Sequence, residues 1–327
     1  MTQLPQLPSV DVAVIGGGTA AMAAALELKQ SGLDVIVIGG RSYLGEDICD
    51  SLRLFLPPDM KLDTPLAQRL YGPAVEAGTA VRPMQVKLEL ERALRDAGIP
   101  YLLCTLPGEV LVDDQGAVTA VTLCNRSGRQ VLPCRAIVDG TVRGEVARLA
   151  GAAVSAPRER VEVIRRVIGG DASLATAEGA SGSSPATPFA RQSGHGVPGP
   201  LDGGRLSNET RRGAEGEWVA EGRLTYPSVK PKAEWQWEEI ETEETLWAYR
   251  TTDSLADGSW AAWMALEQRI RNACYRPGQH LAADGVFVRT GERLFPDCDP
   301  QQLSVEYDNL DLSAISACNG SLFVTGD

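Results

Sequence analysis

A run of three glycines near the start of the sequence has the spacing of a phosphate-binding turn. Gly16 and Gly18, followed by Thr19, Ala20 and Ala21, match the pattern G-x-G-x-x-A. In this pattern the first glycine allows a tight bend, the second lets a diphosphate approach the backbone, and the small last residue lets a helix pack on its strand. The anion then lies at the positive N-terminal end of that helix. The chemistry indicated is therefore the binding of a dinucleotide.

The residues around this turn predict the elements that must position it. Val10–Ile15 is a short apolar, β-branched run typical of a buried strand, and Thr19–Gln30 is an alanine-rich stretch that predicts a helix. Ser31 and Gly32 end that helix, and residues 34–38 predict a second buried strand. Strand, turn, helix and strand thus form one βαβ unit of about 30 residues.

The end of the second strand departs from the dinucleotide pattern. An Asp or Glu is expected there to bind ribose hydroxyls, whereas the sequence has Gly39, Gly40 and Arg41. An arginine at this place can accept a 2′-phosphate, so an NADP-linked reductase is one interpretation. A solvated surface charge is the other.

The next segment predicts more of an α/β fold. Residues 84–97 predict a helix, and residues 101–105 a strand. Three short β-runs follow, separated by hairpin-turn sequences and predicted to form a meander: 109–112, 117–123 and 130–134. Residues 136–139 then predict a further buried strand and residues 145–149 a short helix.

The second half of the chain differs in composition. Residues from about 169 to 216 are dominated by Gly, Ser, Ala, Pro and Thr, which predicts a disordered insertion or long loop. Beyond it, strands are predicted at 218–226, 245–251 and 321–325, and a helix at 260–272. All six tryptophans fall in this half, where they either pack a β-rich core or line an apolar substrate pocket: Trp218, Trp235, Trp237, Trp247, Trp260 and Trp263.

These segments, in this order, resemble the FAD-dependent oxidoreductases of the glutathione-reductase fold. The resemblance is carried by residues 12–18, 38–49, 86–91, 136–151 and 322–327. A nicotinamide dehydrogenase is not expected to insert a three-stranded meander before its next parallel strand, so the order favours FAD as cofactor.

The resemblance implies an α/β fold in two parts. Residues 1–155 would form a Rossmann-like FAD-binding domain with a parallel sheet and a three-stranded meander, completed by residues 291–327. Residues 156–290 would form a β-rich substrate domain that carries the insertion. The implied activity is hydride transfer between an unidentified small molecule and the N5 atom of FAD.

The resemblance also implies which residues contact the cofactor. Gly16, Gly18 and Thr19 would hold the diphosphate, and Gly45 and Ile48 would pass near the flavin. Gly140 and Thr141 would close over the phosphates, and the pair Gly326 and Asp327 would contact the ribityl chain.

Several positions depart from the family pattern. Glu46 stands where a second glycine is usual, and Gly140, Thr141 and Val142 replace Ala-Thr-Gly. A helix is expected after Asp327, so a C-terminally truncated product is expected. Loss of the ribose hydrogen bonds alone would weaken FAD binding about tenfold or more. A non-catalytic relative that serves as a binding module therefore stays open.

No catalytic residue follows from the remaining chemistry. Cys49 lacks the second cysteine of a disulfide reductase, because position 54 is Leu54, and a packed thiol is favoured. His195 lies in the insertion, and His280 follows a Pro-Gly turn, where a surface or capping role is favoured over a base. The spacing predicts neither a metal site nor a Ser/His/Asp triad.

Charge and composition limit the classes of partner and the compartment that the sequence predicts. A net charge of −12 argues against nucleic acid and against an anionic membrane surface as partners. A small-molecule substrate is the partner that the resemblance implies. No secretory signal or membrane-spanning run is predicted, and seven scattered cysteines indicate a reduced, cytoplasmic compartment. The oligomeric state does not follow from the sequence.

Overall fold

A computed structural model describes most of the first half of the chain and separate strands of the second half. The described residues are 4–56, 61–141, 144–154, 162–170, 210–213, 216–233, 236–251, 265, 268, 279–281, 310–311 and 322–324. Within these ranges no helix combines the length and the apolar character that crossing a membrane requires.

The described elements alternate between helices and strands in the first half and are mostly strands in the second. The helices are α1 (Thr19–Gln30), α2 (Glu46–Cys49), α3 (Pro65–Ala77), α4 (Pro83–Asp96) and α5 (Glu145–Leu149). The strands are β1 (Val10–Ile15), β2 (Val35–Ile38), β3 (Tyr101–Leu102), β4 (Leu106–Val112), β5 (Val118–Asn125), β6 (Gly128–Asp139), β7 (Ala153–Val154), β8 (Glu162–Gly170), β9 (Thr210–Gly213), β10 (Gly216–Ala233), β11 (Gln236–Thr251), β12 (Gln279–Leu281), β13 (Leu310–Asp311) and β14 (Leu322–Val324).

A seven-stranded sheet organises the first of two compact units. Its order is β3-β2-β1-β6-β5-β4, and β14 also pairs with β6. The strands β3, β2, β1, β6 and β14 run parallel, with Val14 of β1 opposite both Val37 and Val138. The helix α1 connects β1 to β2, so the predicted βαβ unit and the Rossmann-like α/β fold are confirmed.

The strand β6 is one continuous element, although residues 130–134 and 136–139 were predicted as two strands. Its first half pairs antiparallel with β5, and its second half pairs parallel with β1. The exposed Arg135 lies where the partners change and contacts Asp11 at 3.4 Å. Arg135 therefore marks the point at which β6 changes its neighbouring strand from β5 to β1. The meander belongs to the same sheet as the parallel strands.

The hydrophobic core of this unit is formed mainly by side chains of the strands of this sheet. Its largest side chains are almost fully excluded from solvent and include Ile15, Ile38, Leu123, Leu132 and Ile137. Burying one such side chain contributes about 1.5–3 kcal/mol. The core therefore holds together β1, β2, β5 and β6, of which β1, β2 and β6 end near the glycine turn.

The second compact unit comprises Asp50–Arg82 and Glu159–Asp297, and the first comprises Met1–Cys49, Pro83–Arg158 and Cys298–Asp327. In the second unit an antiparallel sheet has the order β12-β8-β11-β10-β9. The strands β10 and β11 contain the predicted strands 218–226 and 245–251 but are longer. The domain boundaries predicted from the sequence stay a prediction.

The insertion predicted for residues from about 169 to 216 extends too far at both ends. Residues 169–170 belong to β8 and residues 210–213 form β9, because both pair with neighbouring strands. Residues 171–209 lie outside the described residues. Of the predicted helix 260–272, Ala265 and Gln268 are helical and the others lie outside the description.

The helix α3 was not predicted, although its ends carry recognisable signals. The side chain of Thr64 accepts a hydrogen bond from the Ala67 N–H at 3.1 Å, and Pro65 occupies the first turn. The helix ends at Gly78, which is left-handed at φ 63°. Pro73 within the helix obscures the helical pattern in the sequence.

The ends of β1 and β6 approach so closely that only glycine fits between them. The Gly140 N–H donates to the Ile15 carbonyl at 2.7 Å. A Cβ on Gly16 would lie 2.2 Å from the Gly140 carbonyl oxygen, and the φ of Gly16 is +137°. The first glycine of the turn is therefore required by strand packing as well as by backbone conformation.

We expect Gly16→Ala to destabilise the fold more than Gly32→Ala does. Gly32 also has a positive φ, +85°, but a Cβ there meets nothing within 4 Å. Gly32→Ala should cost only the conformational strain of about 1–2 kcal/mol, and overpacking at Gly16 should add about 1–3 kcal/mol. Urea denaturation followed by circular dichroism measures both, and equal midpoints would contradict the close-approach explanation.

Candidate cofactor site

The glycine turn places backbone donors at the N-terminus of α1. The Gly16 N–H donates to the Ile38 carbonyl at 2.8 Å, which fixes the turn against the end of β2. Gly18 is the N-cap residue in an extended conformation, and its carbonyl accepts from the Met22 N–H at 3.1 Å. The first N–H groups of a helix have no acceptor within it, so the Thr19 N–H needs an acceptor from outside α1.

Two carboxylates bind these donors. The Gly17 N–H donates to Glu46 Oε1 at 3.2 Å. The Thr19 N–H donates to Asp47 Oδ2 at 3.0 Å, and the Thr19 hydroxyl donates to the same oxygen. The turn is therefore an anion-binding structure whose acceptors come from α2.

Gly45 brings α2 to the turn. Its N–H donates to the Gly17 carbonyl at 2.7 Å, and its φ is +81°. A Cβ at this position would lie 2.8 Å from Val86 Cγ1 and 3.1 Å from Leu90 Cδ1, both on α4. Gly45 therefore serves the packing of this loop between the turn and α4, which the sequence did not predict.

A cation–π contact fixes the same loop to α4. The Lys87 ammonium lies 3.6 Å from the centroid of the Tyr43 ring. Ile48, predicted to pass near the flavin, is buried on α2, and the neighbouring Cys49 thiol donates to the Pro83 carbonyl at 3.6 Å. Cys49 and Leu54 are both buried, in keeping with a packed thiol.

Arg41 pairs with the carboxylate that binds Gly17. Its Nε lies 3.7 Å from Glu46 Oε2, and its side chain is only 10% exposed. Its carbonyl accepts from the Cys104 N–H at 2.8 Å. The interpretation of Arg41 as a solvated surface charge is therefore wrong, and a contact with a 2′-phosphate stays an untested alternative.

Position 39, where an acidic ribose-binding residue is expected, has little space for a side chain. The Gly39 N–H donates to the Leu102 carbonyl at 2.8 Å. A Cβ on Gly39 would lie 3.0 Å from Leu103 Cδ2, and one on Gly40 would lie 3.2 Å from Leu106 Cδ2. A longer side chain at position 39 therefore requires Leu103 to move.

A second helix N-terminus at the end of β6 is satisfied by Asp139, a residue without a predicted role. Asp139 is fully buried. Its Oδ1 accepts from the Thr141 N–H at 3.0 Å and from the Thr141 hydroxyl at 2.6 Å, and its Oδ2 accepts from the Ala147 N–H at 2.8 Å. The Thr141 hydroxyl oxygen accepts from the Glu145 N–H at 2.7 Å. Both side chains thus cap α5.

Burial affects the ionisation of the two aspartates at these helix ends. Loss of hydration raises the pKa of Asp139, and the hydrogen bonds from Thr141 and Ala147 partly oppose this. Burial likewise raises the pKa of Asp47, and the hydrogen bonds from Thr19 oppose it. In both cases the hydrogen bonds favour the charged form.

The donor set of the turn fits a diphosphate. Gly17 and Gly18 carry no side chain, and a Cβ on either would have only Tyr43, Glu46 and Asp47 atoms nearest to it, at 3.5–3.7 Å. The donors already bind carboxyl oxygens, and oxygen acceptors of this kind are what a phosphate also presents. At the ribose end, Gly39 supplies no acceptor side chain.

The remaining predicted residues divide between described and undescribed parts of the chain. Ala20 is partly buried and Ala21 fully buried on α1. His280 lies on β12, with its backbone opposite Gly169. Three tryptophans lie on β10 and β11: Trp218, Trp237 and Trp247. The residues outside the description are His195, Trp235, Trp260, Trp263, Gly326 and Asp327.

Comparison with known proteins gives a family and several distant structural matches. Residues 11–262 match the family described as FAD dependent oxidoreductase. The chain is similar to an L-proline dehydrogenase from P. horikoshii at 24% identity and a TM-score of 0.30, over 47% of this chain and 25% of that one. A search of curated proteins gave no match.

Two further structures match over more of the chain. One is the myxobacterial chondrochloren halogenase CndH, at 13% identity and a TM-score of 0.47, over 95% of this chain and 73% of that one. The other is CabE, an aromatic hydroxylase from angucycline biosynthesis, at 15% identity and a TM-score of 0.41, over 84% of this chain and 51% of that one. The chain spans about a quarter of the length of the proline dehydrogenase.

We expect Asp139→Ala to destabilise the protein by about 2–4 kcal/mol, because it removes the acceptor of buried donors. Thr64→Ala removes a single exposed cap on α3 and should cost about 1 kcal/mol. Asp139→Asn keeps one carbonyl acceptor and should fall between the two. Urea denaturation ranks the three variants, and an Asp139→Ala variant no less stable than Thr64→Ala would rule out the capping role.

Proposed function

Because the chain belongs to the FAD dependent oxidoreductase family, whose cofactor is FAD, we propose that it transfers a hydride between a small organic molecule and this cofactor. The observation that most supports the proposal is the glycine turn, whose N–H donors bind carboxylate oxygens at the N-terminus of α1. When bound, FAD supplies the redox chemistry, with N5 of the flavin as the hydride acceptor or donor.

The proposed diphosphate contacts come from the turn itself. Thr19 offers its N–H and its hydroxyl, and the extended Gly18 lets an anion approach the backbone. The positive end of α1 favours negative charge at the same place. Gly16 and Ala21 contribute by packing, because Gly16 lies against Gly140 and Ala21 is fully buried.

The proposed contacts of the other segments follow from their distance to the turn. Gly140 lies against Gly16, and we propose that its backbone borders a bound diphosphate. The Thr141 hydroxyl already bonds Asp139 and the Glu145 N–H, so its contribution is to hold this segment in place. Gly45 positions α2 beside the turn. The resemblance alone supports a proposed contact of Gly45 and Ile48 with the flavin and of Gly326 and Asp327 with the ribityl chain.

The first experiment is the visible absorption spectrum of the purified full chain before and after titration with FAD. Flavin bands that co-purify, or that shift on titration, would support the proposal. Anaerobic mixing of the loaded protein with candidate small-molecule donors then tests for loss of the flavin bands. A protein that remains colourless and does not perturb the FAD spectrum would contradict the proposal.

We expect Gly18→Val to weaken FAD binding about tenfold or more. A branched side chain blocks the approach of the diphosphate to the backbone, whereas the extended conformation of residue 18 tolerates a side chain. Gly72→Val, at a position where a Cβ meets nothing within 4 Å, is the matched control. Fluorescence titration with FAD and with riboflavin, which lacks the diphosphate and the adenosine, measures the effect.

The wild-type chain should bind FAD more tightly than riboflavin, and Gly18→Val should reduce that difference about tenfold or more. Circular dichroism melting checks that the variant is folded. A folded Gly18→Val variant that keeps the preference for FAD would show that the turn does not bind the diphosphate.

A further inference from the structure

The donors proposed to hold the FAD diphosphate already carry internal acceptors. Asp47 Oδ2 accepts from both the N–H and the hydroxyl of Thr19, and Glu46 Oε1 accepts from the Gly17 N–H. A backbone N–H makes one strong hydrogen bond at a time. A phosphate oxygen and the Asp47 carboxylate therefore cannot both occupy the Thr19 donors.

The backbone contacts of Gly45 bring the two carboxylates of α2 to the glycine turn. The Gly45 N–H bonds the Gly17 carbonyl, and Val86 and Leu90 press on the other side of Gly45. The Cys49 N–H bonds the Gly45 carbonyl at 2.8 Å, which starts α2 immediately after this point. The two acidic residues in the first turn of α2 are thus placed directly on the glycine turn.

The two carboxylates lie beside different residues of the turn. Glu46 lies beside Gly17, and its Oε2 is 3.7 Å from Arg41 Nε. Asp47 lies beside Gly18, where we propose that the diphosphate approaches the backbone, because its Cγ is 3.5 Å from where a Cβ on Gly18 would be. A diphosphate that approached Gly18 would meet this carboxylate, and like charges repel each other most strongly away from water. Asp47 is therefore the residue that opposes the cofactor.

We propose that Asp47 is an internal competitor of the cofactor, whose carboxylate occupies the Thr19 donors and must leave them before the FAD diphosphate binds. This inference rests on the proposed diphosphate site. It assigns Asp47 a regulatory role, because the strength of its hold on Thr19 sets the affinity of the apoprotein for FAD. Burial raises the pKa of Asp47, and the hydrogen bonds from Thr19 oppose this rise by favouring the carboxylate form.

The test compares wild type with Asp47→Asn, which keeps the side-chain size and removes the charge. The matched control is Asp114→Asn, which removes the same charge from an exposed turn between β4 and β5. Isothermal titration with FAD, ADP and inorganic pyrophosphate measures the affinity. We expect Asp47→Asn to bind FAD and ADP about tenfold more tightly than wild type, and Asp114→Asn to bind as wild type does.

Asp47→Ala removes the acceptor completely and should tighten binding in the same direction. Circular dichroism melting without ligand verifies that each variant folds. Equal or weaker binding of FAD and ADP by both Asp47 variants would overturn the inference. Failure of wild type and both variants alike to bind FAD, ADP or pyrophosphate would also overturn it, because removing the charge would not have opened the donors.

The outcomes separate this inference from the proposed function. Tighter ADP and FAD binding by Asp47→Asn, without reduction of the bound flavin by any donor, would keep the inference and contradict hydride transfer. Reduction of wild-type flavin together with unchanged affinity in Asp47→Asn would keep the proposed function and overturn the inference.

Discussion

The structure around the glycine turn is organised by the need to satisfy the first N–H groups of α1. A helix leaves these donors without internal acceptors, and burying them unsatisfied is costly. Here the acceptors are side chains of α2, held at the turn by Gly45 and by α4. One electrostatic requirement is thus met by the packing of α4, the conformation of Gly45 and the two acidic residues Glu46 and Asp47.

The same requirement recurs at the end of β6. The N-terminus of α5 is satisfied by Asp139 and Thr141, which lie within eight residues of the N–H groups they cap. The donors of α1 instead receive an acceptor 28 residues away. The acceptors of α5 are therefore local in the sequence, whereas the acceptor of Thr19 depends on tertiary packing.

The three glycines of the site, Gly16, Gly18 and Gly45, differ in why a residue without a side chain stands there. Gly16 is required because the Gly140 carbonyl lies where its side chain would be, and Gly45 because α4 presses on it. Gly18 has an extended backbone that any residue could adopt, and its Cβ would meet only ordinary contacts. Of these three, Gly18 is the one whose lack of a side chain the fold does not require, which agrees with a place reserved for a ligand.

The sequence by itself determined the βαβ unit and its turn, because hydrophobic periodicity and glycine spacing are local properties. Val10–Ile15 and Thr19–Gln30 have the predicted bounds. Residues 130–139 were divided wrongly, because a single strand that changes partners at Arg135 changes its burial pattern there.

Only the tertiary structure decided which groups face the turn. The identity of the acceptors depends on how α4 positions Gly45, and no local pattern encodes a distance between residues 19 and 47. For the same reason the sequence left Arg41 open between a surface charge and a ligand contact, and the fold placed it on Glu46. Hydrogen-bond partners across a fold are set by packing, whereas helices, strands and turns are largely set by neighbouring residues.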